Sequence, residues 1–191
     1  MIALASAARV RQIRAMIDAA RSHLLLIDFQ ARLMPAIHAG TAVTARAAKL
    51  IGAARLLDIP RSYTEQTPHK LGHTLPDLAP QPGEAVLAKS RFDACPETGI
   101  ATRIAPGHRI VAAGCEAHVC VLQTVLGLLA AGREVAVAAD ACGTRAPPDH
   151  EAALARMARA GAEIVTTEMV LFEWLGGAGH PRFREVMALI K

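Results

Sequence analysis

Gly114-Cys115-Glu116-Ala117-His118-Val119-Cys120-Val121-Leu122-Gln123-Thr124, entered through Arg109-Ile110-Val111-Ala112-Ala113, is the stretch on which the fold turns. The run Arg109 to Ala113 has the short, continuous apolar character of a buried parallel strand. Ala117 to Ala131 reads as the helix that follows, closed by Gly132 as a C-terminal signal. A strand feeding straight into a helix is half of a βαβ unit. Cys120 then lies in the first turn of the helix, near its positive end, at the carboxyl edge of a sheet. Such a place is expected to lower a thiol pKa and to expose the sulfur as a nucleophile. A small buried hydrophobe is the other reading of the same cysteine.

The alternation continues on both sides. His23 to Ile27, Ile59 to Thr64, Glu84 to Ala88, Glu134 to Ala139 and Glu163 to Val165 read as further strands. Thr41 to Leu57, Pro96 to Ile104, Pro148 to Ala160, Glu168 to Leu175 and Pro181 to Ile190 read as helices. Thr67 to Gly83, rich in Pro, Gly and His, reads as a loop. Strands alternating with helices predict an α/β chain with a mostly parallel sheet and helices on both faces. The expected architecture is a three-layer Rossmann-like fold, its six-stranded sheet in the order 3-2-1-4-5-6. One domain over residues 16–191 is expected, with 1–15 as an extension or part of a first helix.

Composition narrows the function classes. The 191 residues are 52% hydrophobic but only 3% aromatic, so the core must be built of Ala, Val, Leu and Ile. The net charge of +4 comes without a basic stripe interleaved with aromatics, which argues against nucleic acid as a partner. No charge-free apolar run is long enough for a membrane span. Cys95, Cys115, Cys120 and Cys142 form no C-x-x-C pair and read as reduced thiols of a cytoplasmic protein. Arg9, Arg11 and Arg14, without an acid among the first 17 residues, give a faint transit-peptide composition; an amphipathic first helix is the simpler account.

Three reactive residues end three different strands: Asp28 the first, Lys89 the third, Cys120 just past the fourth. In a parallel sheet all carboxyl ends share one edge, so these residues can converge. The ammonium would favour thiolate, the carboxylate would take the thiol proton and return it to a leaving group, and backbone N–H groups around Cys115 to Cys120 would hold an oxyanion. Taken singly, Asp28 reads equally as a turn cap and Lys89 as a solvated strand end.

These motifs resemble a known family. Leu24-Leu25-Leu26-Ile27-Asp28-Phe29-Gln30 is similar to the first-strand D-x-Q signature of the isochorismatase-like cysteine hydrolases. Lys89-Ser90-Arg91-Phe92 resembles their K-x-R-F segment, and Gly114 to Cys120 their nucleophile segment. Ala138-Ala139-Asp140-Ala141-Cys142-Gly143-Thr144-Arg145 resembles the family's V-x-D-A-x-x-S/T-R strand end. The likeness runs from about Met16 to the C-terminus. It is nearest to the uncharacterised hydrolases of the isochorismatase domain-containing protein 2 type, through Thr64-Glu65-Gln66 and His180-Pro181-Arg182-Phe183.

The resemblance implies a hydrolase with Cys120 as nucleophile, Asp28 as general base and then acid, and Lys89 steadying the thiolate. It implies a cis peptide between Cys115 and Glu116 that turns a backbone N–H toward the oxyanion, the Cys120 N–H being a second donor. It places Gln30 and Phe92 against the substrate; Glu65 and Arg91 read either as shaping substrate choice or as surface polar residues. Small amides and ureides suit this chemistry; isochorismate, a vinyl ether, would need direct acid hydrolysis led by Asp28. The family commonly forms homo-oligomers, and a dimer or tetramer is expected.

The related nicotinamidases hold a metal through a D-x-H segment, which Ser62-Tyr63-Thr64-Glu65-Gln66 lacks, so neither metal nor other cofactor is expected. His69 and His73 fall four apart in the loop and read as a solvated pair. His118, two residues from Cys120 on a helix, points elsewhere and makes no Cys–His dyad. A Cys115–Cys120 redox pair is disfavoured by geometry. Neither G-x-G-x-x-G nor G-x-x-x-x-G-K-[ST] occurs. A binding or scaffold protein that keeps the fold without catalysis is the remaining alternative.

Overall fold

The computed structural model describes residues 16–191; the extension expected at 1–15 and its transit-like composition lie outside the described residues. The elements run β1 (Ser22–Ile27), α1 (Gly40–Leu56), β2 (Arg61–Gln66), α2 (Pro68–Leu71), β3 (Ala85–Lys89), α3 (Cys95–Thr98) and α4 (Ile100–Arg103). They continue with β4 (Arg109–Cys115), α5 (Leu122–Ala130), β5 (Val135–Gly143), α6 (Pro147–Ala160), β6 (Glu163–Val165), α7 (Thr167–Leu175) and α8 (Phe183–Ile190). The six strands lie in the order β3-β2-β1-β4-β5-β6, every neighbouring pair parallel. This is the expected order.

Side chains alternate across a strand, so each central strand feeds two cores. Leu24 and Leu26 of β1, Val111 and Ala113 of β4, and Ala136 and Ala138 of β5 enter one core with α1, α7 and α8. Leu25 and Ile27, Ile110 and Ala112, and Val135 and Val137 enter the other with α5 and α6. Helix α1 covers its side with Val43, Ala47, Leu50, Ile51 and Ala54, a stripe at three- and four-residue spacing. Small residues let helices and sheet approach closely, which is how so few aromatics suffice.

Several boundaries differ from the sequence reading. Strand β5 runs to Gly143 rather than Ala139. From Ala112 to Gly114 β4 advances two residues, while β5 advances five, from Val137 to Cys142. The bulge turns Asp140 out to accept hydrogen bonds from the Thr167 N–H and hydroxyl, so the strand resumes beyond a residue that reads as its end. The helix expected over Pro96–Ile104 breaks into α3 and α4 at Gly99, which has φ +65°. The Thr67–Gly83 loop contains α2 and a 3₁₀ turn at Pro76–Leu78. The helix after β4 opens with a wide turn over Ala117–Val121, in which the Val121 N–H reaches the Glu116 carbonyl. Only from Leu122 is it α-helical.

Val121, Leu122, Val125 and Leu128 of this segment pack into the chain's own core.

Candidate active site

The carboxyl edge of β1, β2, β3 and β4 builds one cluster. Asp28 leaves β1 with φ +55° and is fully buried. Its backbone N–H donates to the Thr64 carbonyl, which carries the β1–β2 ladder one residue past the strand. The Thr64 hydroxyl donates to Asp28 Oδ1 at 2.7 Å, and Lys89 Nζ donates to Oδ2 at 2.7 Å. Neither the Asp28 nor the Lys89 side chain has accessible surface. Lys89 also donates to Gln66 Oε1 at 2.7 Å and to the Arg91 carbonyl at 3.3 Å. The Cys120 thiol meets both the Asp28 carboxylate and the Lys89 ammonium from the turn after β4.

Gly114 makes this meeting possible. It pairs with Ile27, the last residue of β1, and a Cβ built on it would lie 2.6 Å from Ile27 Cβ. The glycine is a close-approach residue, letting β4 and its following turn press against the end of β1. The Cys115–Glu116 peptide after it is cis, the bond that the family resemblance singled out. The Lys89–Phe92 segment is held from outside by Glu97, whose carboxylate accepts from the Ser90 and Arg91 N–H groups and the Ser90 hydroxyl. Buried Thr124 on α5 accepts from the Ala94 N–H and donates to the Phe92 carbonyl, tying that segment to the helix that follows the Cys120 turn.

The sequence reading expected an acidified Cys120. The structure corrects this: burial, then the Asp28 charge, push the thiol up to about 12, against the opposing pull of Lys89. A carboxylate and an ammonium that touch each other largely cancel at a third group, which leaves desolvation to decide. The resting sulfur is a neutral thiol. Cys95, Cys115 and Cys142 are also raised, with burial the largest cause in each. Cys115 packs into the core on the α1 side and Cys120 into the core on the α5 side, so the sheet lies between the two sulfurs.

The expected substrate contacts are placed differently from one another. Gln30 is buried, and its amide is spent on the chain: Nε2 donates to the Gln66 and Gly72 carbonyls, and Oε1 accepts from the Gln66 N–H. Glu65 is buried and accepts from the Thr74 N–H, the Thr74 hydroxyl and His73 Nδ1. Burial alone would raise the Glu65 carboxyl, but these hydrogen bonds outweigh it and hold the group below its ordinary value. Both residues therefore fasten the segment after β2 rather than facing outward. Phe92 is 51% exposed and its ring stands at the surface. Glu116 pairs with Arg145 at 2.5 Å. His73 meets Glu65, and among the described residues no group of three or more His, Cys, Asp or Glu stands ready to hold a metal ion.

Two members of the cluster had no role in the sequence reading, Thr64 and Gln66. Their signal was present: in a strand ending Thr64-Glu65-Gln66 the first and third share a face. That face is the one Asp28 and Lys89 occupy, while Glu65 takes the other.

The model of the Isochorismatase domain family matches residues 22–169. The human isochorismatase domain-containing protein 2 is 38% identical over 171 residues, covering 89% of this chain and 83% of that protein. A solved structure described as the MAR1 ribonuclease of Caenorhabditis elegans superposes with a TM-score of 0.86 at 36% identity, covering 92% of each chain. The Escherichia coli YcaC product, described as an octameric hydrolase of unknown specificity, shares the fold with a TM-score of 0.81 at 24% identity. It covers 92% of this chain and 96% of its own.

Proposed function

The chain belongs to the isochorismatase domain family, and on that premise we propose that it is a metal-independent cysteine hydrolase cleaving a C–N bond of a small amide or ureide. The observation that carries the reading is the contact of the Cys120 thiol with a buried Asp28–Lys89 pair at the carboxyl edge of the sheet.

The chemistry follows from the neutral thiol. Asp28 takes the Cys120 proton as the sulfur attacks the carbonyl carbon, so a standing thiolate is not required. The ammonium of Lys89 balances the sulfur's negative charge during transfer. Backbone N–H groups between Glu116 and Cys120 hold the oxyanion. Asp28 then gives its proton to the departing nitrogen as the C–N bond breaks, leaving a Cys120 thioester. Water loses a proton to Asp28 and attacks the thioester, and the released sulfur recovers that proton. Asp28 is well suited to both transfers because Thr64 and Lys89 fix its two oxygens.

No cofactor enters this scheme. Residues 16–191 act as one domain in it. Among the described residues no helix is long and apolar enough to cross a membrane, and four free cysteines suit a reducing, cytoplasmic setting. A homo-oligomer is proposed from the octameric YcaC relative, since α5 spends its apolar face internally. The nematode relative's name makes RNA a substrate worth including. Against it, the cation that meets Cys120 is already paired with Asp28, whereas phosphate recognition calls for unspent positive charge.

The test is a panel of amides, ureides, isochorismate and RNA, with acyl-Cys120 trapped for peptide mass spectrometry. Turnover of an amide or ureide should fall by about 10³-fold or more in Cys120→Ala. Half the rate surviving in Cys120→Ala would sink the covalent scheme. Isochorismate turnover that survives Cys120→Ala but is lost in Asp28→Asn would replace it with direct acid hydrolysis.

A further inference from the structure

We propose that Gln66 is a positioning residue for this site: its uncharged amide oxygen aims the Lys89 ammonium at Asp28 and Cys120 without adding a second negative charge to the cluster. The inference rests on the triad reading above and assigns a role to a residue outside it.

The hydrogen bonds leave Gln66 one orientation. Its Nε2 donates to the Ser90 carbonyl at 2.7 Å, which can only accept. Its Oε1 therefore faces Lys89 Nζ at 2.7 Å, which can only donate. A flipped amide would set two donors together at one end and two acceptors at the other. The backbone is held as firmly, since Gln30 accepts from the Gln66 N–H and donates to its carbonyl. Lys89 thus has one charged acceptor, Asp28, and two neutral ones, Gln66 and the Arg91 carbonyl.

The charge count matters because the cluster is dry. Asp28 and Lys89 act on the Cys120 thiol in opposite directions. The nearby carboxylates are turned elsewhere: Glu65 to His73 and Thr74, Glu97 to Ser90 and Arg91, Glu116 to Arg145. His118, on the turn that carries Cys120, lies nearest Asp149 of α6. A glutamate at 66 would match the glutamine in shape, but it would share the ammonium with Asp28 and oppose any negative charge on the sulfur.

The experiment is the iodoacetamide alkylation rate of Cys120 against pH, read by peptide mass spectrometry on the full chain, with Cys142 as a built-in report of unfolding. Gln66→Glu should slow Cys120 by about tenfold at each pH, an upward shift of about one unit. Gln66→Met, which removes the acceptor without adding charge, should slow it by about threefold and serves if the charged variant unfolds. Asp28→Asn should speed it, since the carboxylate opposing the thiolate is gone. A merely structural glutamine would alter stability and leave the profile of the folded protein in place. If the folded Gln66 variants keep the native profile while Asp28→Asn shifts it, the positioning role is overturned and the triad reading stands. If Asp28→Asn also leaves it unmoved, Asp28 does not govern Cys120 and both fail.

Discussion

Strand β3 carries a charge cluster at each end, and only the one at its carboxyl end meets a thiol. Just before it, Glu84 accepts from Arg61 Nε at 2.6 Å, from Arg55 Nη2 at 3.2 Å and from the Gln81 N–H at 2.9 Å. Burial would raise its carboxyl, but the hydrogen bonds from Arg55, Gln81 and Arg61 prevail and hold it at about 2. At the far end Lys89 pairs with Asp28. Both carboxylates are largely covered, though the arginines at Glu84 are partly exposed, so burial and ion pairing alone do not mark a reactive site. The difference is the third party. Glu84 faces two guanidiniums that cannot give up a proton at ordinary pH, and the Tyr63 phenol, whose proton burial and then the Glu84 charge hold more tightly than usual. Asp28 faces a thiol that can. The amino end is a clamp; the carboxyl end has a proton with somewhere to go.

The sharpest way to break this contrast is to remove one charge from the reactive end. Lys89→Met leaves Asp28 buried and uncompensated, and should cost about 3–5 kcal/mol in urea unfolding. A cost below about 1 kcal/mol would mean that Asp28 is rescued by protonation or by water, and that the pair is not a dry one.

A smaller effect should come from the joint between strands. Gly114→Ala forces a methyl into Ile27 and should cost about 2 kcal/mol, with Cys120 alkylation losing its sensitivity to Asp28→Asn because β4 is levered away from β1. If stability falls and that sensitivity survives, the meeting of thiol and carboxylate does not depend on the close approach.

The smallest effect belongs to the clamp. The Glu84 carboxyl binds its proton less tightly folded, at about 2, than at its ordinary 4.5. Its stabilisation is complete above pH 4.5 and is lost as pH falls through about 2, because only the unfolded chain takes up the proton in that window. Glu84→Gln should cost about 1–2 kcal/mol at neutral pH and flatten the acid limb of stability between those values. An unchanged acid limb would show that the guanidiniums are satisfied as well by water.

The fold was legible because its strands are continuous apolar runs. Leu24 to Ile27 and Ile110 to Ala113 read as doubly buried strands, and both faces of each are covered. The convergence of Asp28, Lys89 and Cys120 was legible for the same reason: parallel strands put their ends on one edge. Gln30 and Glu65 were expected against the substrate, and what the sequence did not show is that both bind the chain itself. Their partners, Gly72, His73 and Thr74, sit in a loop whose path no periodicity reveals. Asp140 misled in another way. It reads as a strand end, yet the strand bulges around it and continues.

By itself the sequence determined the alternation, the strand directions and the placing of Asp28, Lys89 and Cys120 at one sheet edge, because these follow from apolar periodicity and from residue types at strand ends. Only the tertiary structure decided the state of Cys120. Its location at a helix start argued for an acidic thiol, whereas the packed chain raises it. Desolvation grows with everything that covers the sulfur, and the Asp28 and Lys89 charges that act on it come from the ends of β1 and β3, segments that no local pattern brings to it.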